Sequence, residues 1–541
     1  MSSCKNILVV SNIKLPVDAS EKEAFSVVRQ RLKKLRLLPQ DADFSIYRKS
    51  VDARRRDELH FVVSVAVSGD FSSVRANADS YPDISFVSES EPEIKLGKER
   101  LDGPIVVVGS GPAGLFLALM LAESGYAPIV IERGGSVAER TGAVRVFNEC
   151  HTLDTENNIQ FGAGGAGTFS DGKLITRVSD PLSAYVMRRF VEFGAPEEIK
   201  YLAKPHIGTD VLAVVVDRMI RRIEELGGRV MYHTRLDEIK LLGARAAAAV
   251  TSKGEMPLGA LVLAVGHSAR DTYKMLLGKG FAIEPKPFSV GMRIEHLAED
   301  IDSALYGRYA GSPNLGHAEY SLSTNTKVRG VYTFCMCPGG EVVAAASENG
   351  GVVVNGMSRH ARDGRNSNSA VVCSVFTDDY GNTPGKAIDF QQKIEQRAFI
   401  SGGGDFCAPI ITVGDFLDGK CETEPKRVMP TYMAGGNVRI KSPLDYLPHF
   451  AVDGIKNALR DFDRKISGFA SSDAVLTGAE TRTSAPVRIM RSASRCALGY
   501  DNIYPIGEGA GYAGGITSAA IDGIKTALSI MEKYAPAGKN C

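Results

Sequence analysis

Glycines in the spacing G-x-G-x-x-G occur three times in this chain of 541 residues. Such spacing allows a tight turn and a close approach of the backbone to the pyrophosphate of a dinucleotide. It does so where a buried strand precedes the glycines and a helix follows them. The three triplets are Gly109, Gly111 and Gly114; Gly162, Gly164 and Gly167; and Gly509, Gly511 and Gly514. The sequence around each triplet decides which of them can bind a dinucleotide.

The first triplet lies in the segment GPIVVVGSGPAGLFLALMLAESGYAPIVIERG, which begins at Gly103. Its pattern predicts a buried parallel strand, a glycine turn, a helix that ends at Gly125 and a second strand. A pyrophosphate at the start of that helix would be stabilised by free N–H groups and by the helix dipole. Glu132 follows Gly109 by 23 residues, where an acid accepts hydrogen bonds from the adenosine ribose. The residues predicted to bind the dinucleotide here are Gly109, Gly111, Pro112, Ala113, Gly114, Glu132 and Arg133.

The second triplet lies in QFGAGGAGTFSDGKL and has a different setting. No buried strand precedes Gly162, and the Ser, Asp and Gly that follow Gly167 favour a loop over a helix. A loop so rich in glycine can approach a flat or phosphorylated ligand closely. Gly164, Gly165 and Thr168 are therefore predicted to contact the same cofactor from its other side, and a loop that merely packs tightly is the alternative.

The third triplet lies near the end of the chain, in DNIYPIGEGAGYAGGITSAAIDG. A short apolar strand is predicted to end at Gly507 and Glu508, and a helix with small residues to begin near Ile516. No second strand or acid follows. We therefore predict that this segment completes the first dinucleotide-binding unit instead of forming another.

The composition is that of ordinary globular protein, with 64 basic and 63 acidic residues and 44% hydrophobic residues. Nucleic acid is not indicated by this balance, and no run of apolar residues is long enough to span a membrane, so a cytoplasmic location is expected. The nine cysteines are mostly widely spaced, unlike a secreted disulfide framework, and no metal site is predicted. Cys335 and Cys337 form the one close pair. The pair could be a metal-ligand fragment, although no second Cys or His pair lies at zinc spacing, or a redox pair, or two reduced cysteines on a strand.

Residues 1–95 are predicted to form a separate α+β domain in the order β-α-β-β-α-β, which is that of the ferredoxin-like fold. A hairpin in this domain carries Arg48, Lys49, Arg54, Arg55 and Arg56. Such a cluster could contact the phosphates of RNA or of a cofactor. A solvated hairpin or a contact between domains is the alternative, and the charged segment SEPEIKLGKERLDG looks like a linker.

The glycine turn and the C-terminal segment resemble flavoproteins of the glutathione-reductase structural type. The resemblance implies FAD, held by a Rossmann-type α/β domain, with Glu508 near the ribityl hydroxyls and the backbone of Gly514, Gly515 and Ile516 facing the flavin ring. Reduction places negative charge on that part of the ring, and a helix N-terminus stabilises it. The segment GALVLAVGHSARDT resembles a third FAD-contact segment of this type, which implies contacts at Gly266 and His267.

A closer resemblance covers nearly the whole chain. The segments KSVDARRRDELHFV, FGAGGAGTFSDGKL, AVGHSARDTY, FSVGMRIEH, FCMCPGGEVV, RTSAPVRI and GEGAGYAGGITSAAIDG are similar to a bacterial family of uncharacterised FAD-dependent dehydrogenases with an extra N-terminal ferredoxin-like domain. This implies an FAD-binding domain in two parts, residues 103–280 and 480–541, that flank an α+β substrate or cap domain at 281–479. It also implies a small-molecule substrate that the sequence does not identify.

The expected chemistry is hydride transfer between the flavin and an organic substrate, with NAD(P)H as a transient electron donor at most. Candidate residues for contact with the substrate are Arg293, His296, Cys335, Cys337, Arg482 and Arg488. One alternative is a flavin monooxygenase, although such enzymes usually carry GADG where this chain has AVGHSAR. Another is a flavoprotein that binds RNA or protein through the basic hairpin at Arg54 to Arg56.

Overall fold

The computed structural model describes residues 6–71, 80–88, 91–176, 179–325 and 329–536. The N-terminal part is a four-stranded antiparallel sheet in the order β2-β3-β1-β4, with one helix packed on it. Its elements are β1 (Asn6–Pro16), α1 (Glu21–Lys34), β2 (Asp43–Asp52), β3 (His60–Ser68) and β4 (Ile84–Ser88). The predicted strands and first helix are confirmed. The predicted second helix falls mainly on residues 72–79, outside the described residues, so the ferredoxin-like fold stays a prediction.

The basic hairpin between β2 and β3 contacts two later parts of the chain. The N–H of Lys49 donates to Tyr201 O at 2.8 Å, and the N–H of Ala203 donates to Lys49 O at 2.9 Å. Farther along the hairpin, Arg308 Nη2 donates to Asp57 O at 2.8 Å. Hydrogen bonds of this kind are expected if the hairpin serves as a contact between domains and not as a phosphate-binding surface.

The next part of the chain builds a parallel sheet and a small antiparallel sheet beside it. Its elements are β5 (Ile105–Val108), α2 (Pro112–Glu123), β6 (Ile129–Ile131), α3 (Val137–Cys150), α4 (Leu182–Glu192), α5 (Thr209–Glu225), β7 (Arg229–Met231), β8 (Leu236–Leu242), β9 (Arg245–Thr251), β10 (Gly254–Pro257), β11 (Ala260–Leu263) and α6 (Arg270–Gly278). The strand, helix and strand predicted around the first glycine triplet are confirmed. Helix α2 is buried on all sides, which explains why it is apolar all round.

Residues 281–480 contain a seven-stranded sheet in the order β14-β15-β18-β13-β21-β19-β20. The elements are β12 (Ile283–Pro285), β13 (Phe288–Leu297), α7 (Ala298–Tyr306), β14 (Ser323–Asn325), β15 (Gly330–Cys337), β16 (Glu341–Ala344), β17 (Val354–Met357), β18 (Asn366–Val375), α8 (Thr377–Tyr380), α9 (Pro384–Ser401), β19 (Ala408–Thr412), α10 (Val413–Asp418), β20 (Val438–Ile440), α11 (His449–Lys465) and β21 (Val475–Glu480). Every residue of β13 is buried, because this strand lies in the middle of the sheet with packed layers on both faces.

The chain ends by returning to the parallel sheet. The last elements are β22 (Val487–Ile489), β23 (Ile503–Pro505) and α12 (Ile516–Lys533). Strand β23 pairs in parallel with β11, so the five-stranded sheet has the order β23-β11-β5-β6-β7 with every pair parallel. Helix α12 packs against α2. The prediction that the C-terminal segment completes the first unit is therefore confirmed.

No helix among the described residues is long and apolar enough to cross a membrane.

Candidate functional site

The three glycine-rich segments meet at one cleft, with about 1730 Å³ of empty space including its open mouth. The cleft lies beyond the carboxyl ends of four parallel strands, where β5, β6, β11 and β23 give way to loops. This edge is where open parallel sheets bind ligands. The cleft also reaches the seven-stranded sheet through Phe334 and Cys335 of β15.

The three glycines of the first triplet differ in what a side chain would meet. Gly109 has φ 102°, and a Cβ there would lie 2.3 Å from the carbonyl oxygen of Ala264. A Cβ on Gly114 would lie 2.1 Å from Gly109 O, so this glycine allows α2 to pack tightly and does not line the cleft. A Cβ on Gly111 would meet nothing nearer than Gly165 Cα at 3.8 Å. Gly111 therefore leaves space at the floor of the cleft, as a pyrophosphate requires.

The second glycine segment lies directly against the first. Gly165 has φ 64°, and a Cβ there would lie 3.0 Å from Gly111 Cα. The N–H of Gly164 donates to Ser110 O at 3.0 Å. Gly165 lines the cleft as predicted, whereas Gly164 and Thr168 lie behind the loop. The reason is that Gly164 faces Val216 of α5, and the Thr168 hydroxyl donates back to a loop carbonyl.

Glu132 joins the turn to the loop through four hydrogen bonds. Its Oε2 accepts from the backbone N–H and the hydroxyl of Ser110, at 2.9 and 2.7 Å. Its Oε1 accepts from the N–H groups of Gly134 and Gly162, at 3.1 and 3.0 Å. A carboxylate has about four acceptor positions, so protein donors already occupy those of Glu132. The predicted contact with a ribose stays a prediction, and the contacts in the structure give Glu132 a supporting role.

Arg140 on α3 is a supporting residue that the sequence did not reveal. Its guanidinium is fully buried and donates to the carbonyl oxygens of Asn158, Ile159, Ala163 and Gly165, at 2.6 to 2.8 Å. Burial lowers the pKa of Arg140 to about 9, against the opposing effect of Glu132. An arginine in a helix is ordinary, and its carbonyl partners carry no signal in the sequence. It fixes the shape of the glycine loop from behind.

The C-terminal segment supplies the opposite side of the cleft. It is lined by Gly507 and Glu508, which follow β23, and by Gly514, Gly515 and Ile516 at the N-terminus of α12. Side chains at Gly514 and Gly515 would meet no protein atom within 4 Å, so the backbone there faces open space. Burial raises the pKa of Glu508 to about 7, although Lys286 opposes the shift. The residues predicted from the resemblance thus lie together.

His267 lines the cleft next to Gly266, as expected. Burial, with the positive charges of Arg482 and Arg270, lowers its pKa to about 3. The imidazole is therefore neutral over the physiological range, and its Nδ1 lies 2.9 Å from Ser268 Oγ. A neutral ring in this position suits contact with a cofactor better than proton transfer.

Two of the six candidates for contact with the substrate, Cys335 and Arg482, line the cleft. Arg482 is held by Glu395, which also pairs with Arg270. The other four do not line the cleft.

Arg293 is fully buried in an ion pair with Glu480 at 2.9 Å, and Cys337 lies buried beside it. His296 is buried with Nε2 2.7 Å from Phe469 O, and Arg488 stacks on Tyr512.

Further polar residues of the cleft were not predicted. They include Gln160, Asp171, Lys173, Arg235 and Asn355. Asp171 pairs with Arg362 at 2.7 Å, and Lys173 lies 3.9 Å from Asp171 and from Glu319. The described residues contain no group of His, Cys, Asp and Glu side chains that could hold a metal ion.

Matches to known proteins agree with this geometry. Residues 287–483 match the family described as FAD-dependent protein, C-terminal domain-like, and residues 8–68 match a domain of unknown function. The first match supports FAD as the cofactor and a general flavin redox function. The chain is also 44% identical to an uncharacterized protein of Clostridium beijerinckii over 531 residues, which are 97% of this chain and 98% of that protein. It belongs to the same family as that protein.

Solved structures give weaker likenesses. Glycine oxidase from Bacillus cereus is 10% identical with a TM-score of 0.35, covering 81% of this chain and 100% of that chain. L-amino acid deaminase from Proteus vulgaris is 12% identical with a TM-score of 0.32, covering 82% and 97%. CtdE in complex with FAD is 12% identical with a TM-score of 0.33, covering 80% and 87%. TM-scores of this size do not establish a shared fold, so the family assignment rests on the sequence matches.

Proposed function

We propose that the protein is an FAD-dependent reductase or dehydrogenase that transfers a hydride between the flavin and a small organic substrate. The observation that carries this proposal is the convergence of the two glycine segments and the C-terminal helix on one cleft. That convergence is the arrangement expected of the glutathione-reductase structural type. The flavin supplies the two-electron redox chemistry, and the chain supplies binding, orientation and electrostatics.

One half of the cleft has the features of a dinucleotide site. Gly111 leaves room for a pyrophosphate, and the N-terminus of α2 supplies free N–H groups and positive potential next to it. The glycine loop covers this half from the other side, with Gly165 in contact with Gly111. Arg133 and Arg235 also line the cleft, and both lie within 4 Å of Glu156. We assign this half to the adenosine diphosphate part of FAD.

The other half has the features of a flavin site. The backbone of Gly514 and Gly515 faces open space at the N-terminus of α12, a helix of 18 residues. Its partial positive charge would stabilise the negative charge of a reduced flavin ring. Glu508 lies at the same edge, where a carboxyl can bond to the ribityl hydroxyls. We assign this half to the flavin.

Arg482 is the side chain that we assign to the substrate. It lines the cleft, and its guanidinium is held in place by Glu395 and by Ser347 Oγ, at 3.0 and 2.5 Å. A pre-positioned guanidinium suits a carboxylate or phosphate. Lys173 adds a second positive charge to the cleft wall. An anionic small molecule is therefore the substrate class that we propose.

The alternative functions have less support. Nothing in the cleft favours a monooxygenase over a dehydrogenase. In the basic hairpin, Arg54 pairs with Asp52 and Arg55 with Glu58, and the hairpin itself contacts other parts of the chain. This arrangement supports a role as a domain contact more than as an RNA-binding surface. A cytoplasmic location, a ferredoxin-like N-terminal fold and the division of the FAD-binding domain at residues 280 and 480 remain part of the proposal.

The visible spectrum of the purified protein under argon tests the proposed function. We expect a flavin band, supplied if necessary by reconstitution with FAD, that is bleached by the reduced substrate or by NADPH or NADH. Bleaching by a pyridine nucleotide would identify that nucleotide as the donor, and no bleaching by either would direct the search to an organic reductant. No band after reconstitution with FAD would overturn the proposal.

A further inference from the structure

Cys335 and Cys337 lie at the point where β15 reaches the cleft. Cys335 lines the cleft, whereas Cys337 is fully buried directly behind it. The Cys337 thiol contacts the backbone of Cys335, with Sγ 3.3 Å from Cys335 O. The two thiols therefore form a pair in which one member is accessible from the cleft and the other is not.

The backbone at this pair is irregular. Strand β15 pairs with β18 up to Phe334 and again at Cys337, and its register shifts between these two residues. Within the shift, Cys335 has φ 45°, a left-handed conformation that a side chain with a Cβ rarely adopts. Bulges of this kind turn a side chain toward a site, and such strain is kept where function requires it.

A buried cation supports the pair from below. Arg293 Nη1 donates to Cys335 O at 3.1 Å and lies 3.9 Å from Cys337 Sγ, while Glu480 holds its Nε at 2.9 Å. The hydrogen bond from Cys337, with the charges of Arg293 and Lys173, lowers the pKa of the Cys335 thiol against the effect of burial. The pKa of Cys337 is raised in turn by its hydrogen bond with Cys335 and by burial.

Other buried cysteines differ from this pair. Burial raises the pKa of Cys373 and of Cys407 to about 11, so both are inert thiols at neutral pH. Neither lines the cleft. A thiol that lines the cleft, with a lowered pKa and a second thiol next to it, has the features of a redox-active dithiol.

We propose that Cys335 and Cys337 form a redox-active dithiol that exchanges two electrons with the flavin in the cleft. This inference rests on the proposed function. In the reducing direction, the reduced flavin gives up two electrons and one proton, and solvent gives a second proton. The bond between the two sulfurs breaks, and two thiols and oxidised flavin remain. In the reverse direction, the dithiol loses the same two electrons and two protons and the disulfide forms.

The first test needs no flavin. The apoprotein is equilibrated in glutathione buffers of increasing oxidised fraction, quenched with an alkylating reagent and mapped by peptide mass spectrometry. We expect Cys335 and Cys337 to lose reactivity together, with the loss of two hydrogens from a peptide that holds both. Independent alkylation of the two residues, or a stable glutathione adduct on Cys335 in place of the internal disulfide, would overturn the inference.

The second test counts electrons in the FAD-loaded protein. Anaerobic reduction of the oxidised holoprotein with dithionite should consume four electrons per flavin, because the disulfide takes two beyond the two taken by FAD. Cys335→Ser and Cys337→Ser should each consume two, and the exposed-site control Cys150→Ser should consume four. A wild-type value of two would overturn the inference and leave the flavin assignment intact. Failure to bind FAD would overturn the proposed function, and the glutathione test would still report on the cysteines.

Discussion

The glycine turn at residues 109–114 and the glycine loop at residues 162–167 have the same spacing and are built in different ways. The turn is held mainly by backbone, since Gly109 lies between β5 and α2 and its N–H donates to Ile131 O at 2.8 Å, and Glu132 adds two hydrogen bonds to Ser110. The loop contains only a short 3₁₀ turn, at Ala166–Phe169. Two buried charged side chains, Glu132 and Arg140, hold the loop instead. The G-x-G-x-x-G spacing therefore indicates a close approach of the backbone to another group. Whether that group is a ligand or another part of the chain depends on the neighbouring strands and helices.

The difference has a consequence for stability. A turn that is fixed by a sheet and a helix tolerates the loss of a side chain contact, whereas a loop that depends on two side chains does not. The two regions should therefore respond differently to substitution. Changes behind the loop should lower both stability and cofactor affinity, and changes at the floor of the turn should lower cofactor affinity alone.

The largest expected effect is that of Arg140→Ala. This substitution removes a donor from the carbonyl oxygens of four loop residues and removes the methylene groups that pack under Gly162. Two of the four, those of Ala163 and Gly165, also accept from Thr168, whereas those of Asn158 and Ile159 depend on Arg140. We expect the free energy of unfolding of the apoprotein to fall by about 4 kcal/mol. Urea unfolding measures this, with Arg145→Ala on the exposed face of the same helix as the control. Equal stability of the two variants would contradict the role given to Arg140.

Gly111→Val should weaken FAD binding at least about a hundredfold, or about 2.8 kcal/mol, without unfolding the protein. The backbone of Gly111 has φ −70°, which valine adopts without strain, and its side chain would occupy the space left for the pyrophosphate. FAD titration of the apoprotein, followed by flavin fluorescence, measures the affinity. Gly142→Val is the matched control, because a Cβ there meets no protein atom within 4 Å. If Gly111→Val binds FAD as tightly as the wild type does, the pyrophosphate does not bind at Gly111.

Glu132→Gln should have an intermediate effect on both stability and FAD affinity. The amide group of glutamine presents a donor to N–H groups that need an acceptor, so at least one of the hydrogen bonds to Ser110, Gly134 and Gly162 is lost. We expect a loss of about 2 kcal/mol in stability and a weaker affinity for FAD. If only the affinity falls, Glu132 acts on the ribose as the sequence first indicated. A loss of both supports its role as the link between turn and loop.

Glu508 gives a pH-dependent test at the third glycine segment. Burial raises the pKa of its carboxyl to about 7, so the folded protein keeps it neutral at pH values where the unfolded chain ionises it. This side chain therefore lowers stability progressively as pH rises from its ordinary pKa to about 7, and no further above that pH. We expect Glu508→Gln to gain about 1 to 2 kcal/mol relative to wild type between about pH 5 and pH 8, after an allowance for its partial exposure. Urea unfolding at a series of pH values measures this difference. If the free energies of unfolding of the two apoproteins change in parallel with pH, Glu508 is solvated.

The smallest effect is expected in the basic hairpin. Replacing Arg54, Arg55 and Arg56 with Ala should leave Tm and FAD affinity unchanged, because the ion pairs of Arg54 and Arg55 are exposed. RNA retention on a filter should be absent both before and after the substitution. Retention by the wild type that falls tenfold in the variant would favour an RNA-binding role for this domain.

The features that the sequence predicted are those encoded locally. The strand, helix and strand around Gly109 follow from a continuous segment, and α12 begins at Ile516 as its pattern indicated. The return of β23 to the same sheet was predicted because no second strand or acid follows the third glycine triplet, so that segment could not form a complete unit of its own. The predictions around Gly109 and at Ile516 needed no knowledge of distant partners, whereas the pairing of β23 with β11 joins distant parts of the chain.

Several of the features that it missed depend on residues far apart in the chain. Asp171 bonds to Ser358 and to Arg362, which are 187 and 191 residues away. Arg140 binds carbonyl groups, which have no residue signature. His296 was a candidate by residue type alone, and the sequence could not show that every position of β13 is buried. Burial inside a sheet that is covered on both faces leaves no alternation of polar and apolar residues to read.

The most direct test of the central claim compares ligands that fill one or both halves of the cleft. The apoprotein is titrated with FAD, FMN and riboflavin under the same conditions, with flavin fluorescence as the readout. If the glycine turn and glycine loop hold the adenosine diphosphate while α12 holds the flavin, FAD should bind at least about a hundredfold more tightly than FMN. The advantage should disappear in Gly111→Val. Equal affinities of the wild type for FAD and FMN would contradict the claim that the two glycine segments form a dinucleotide site.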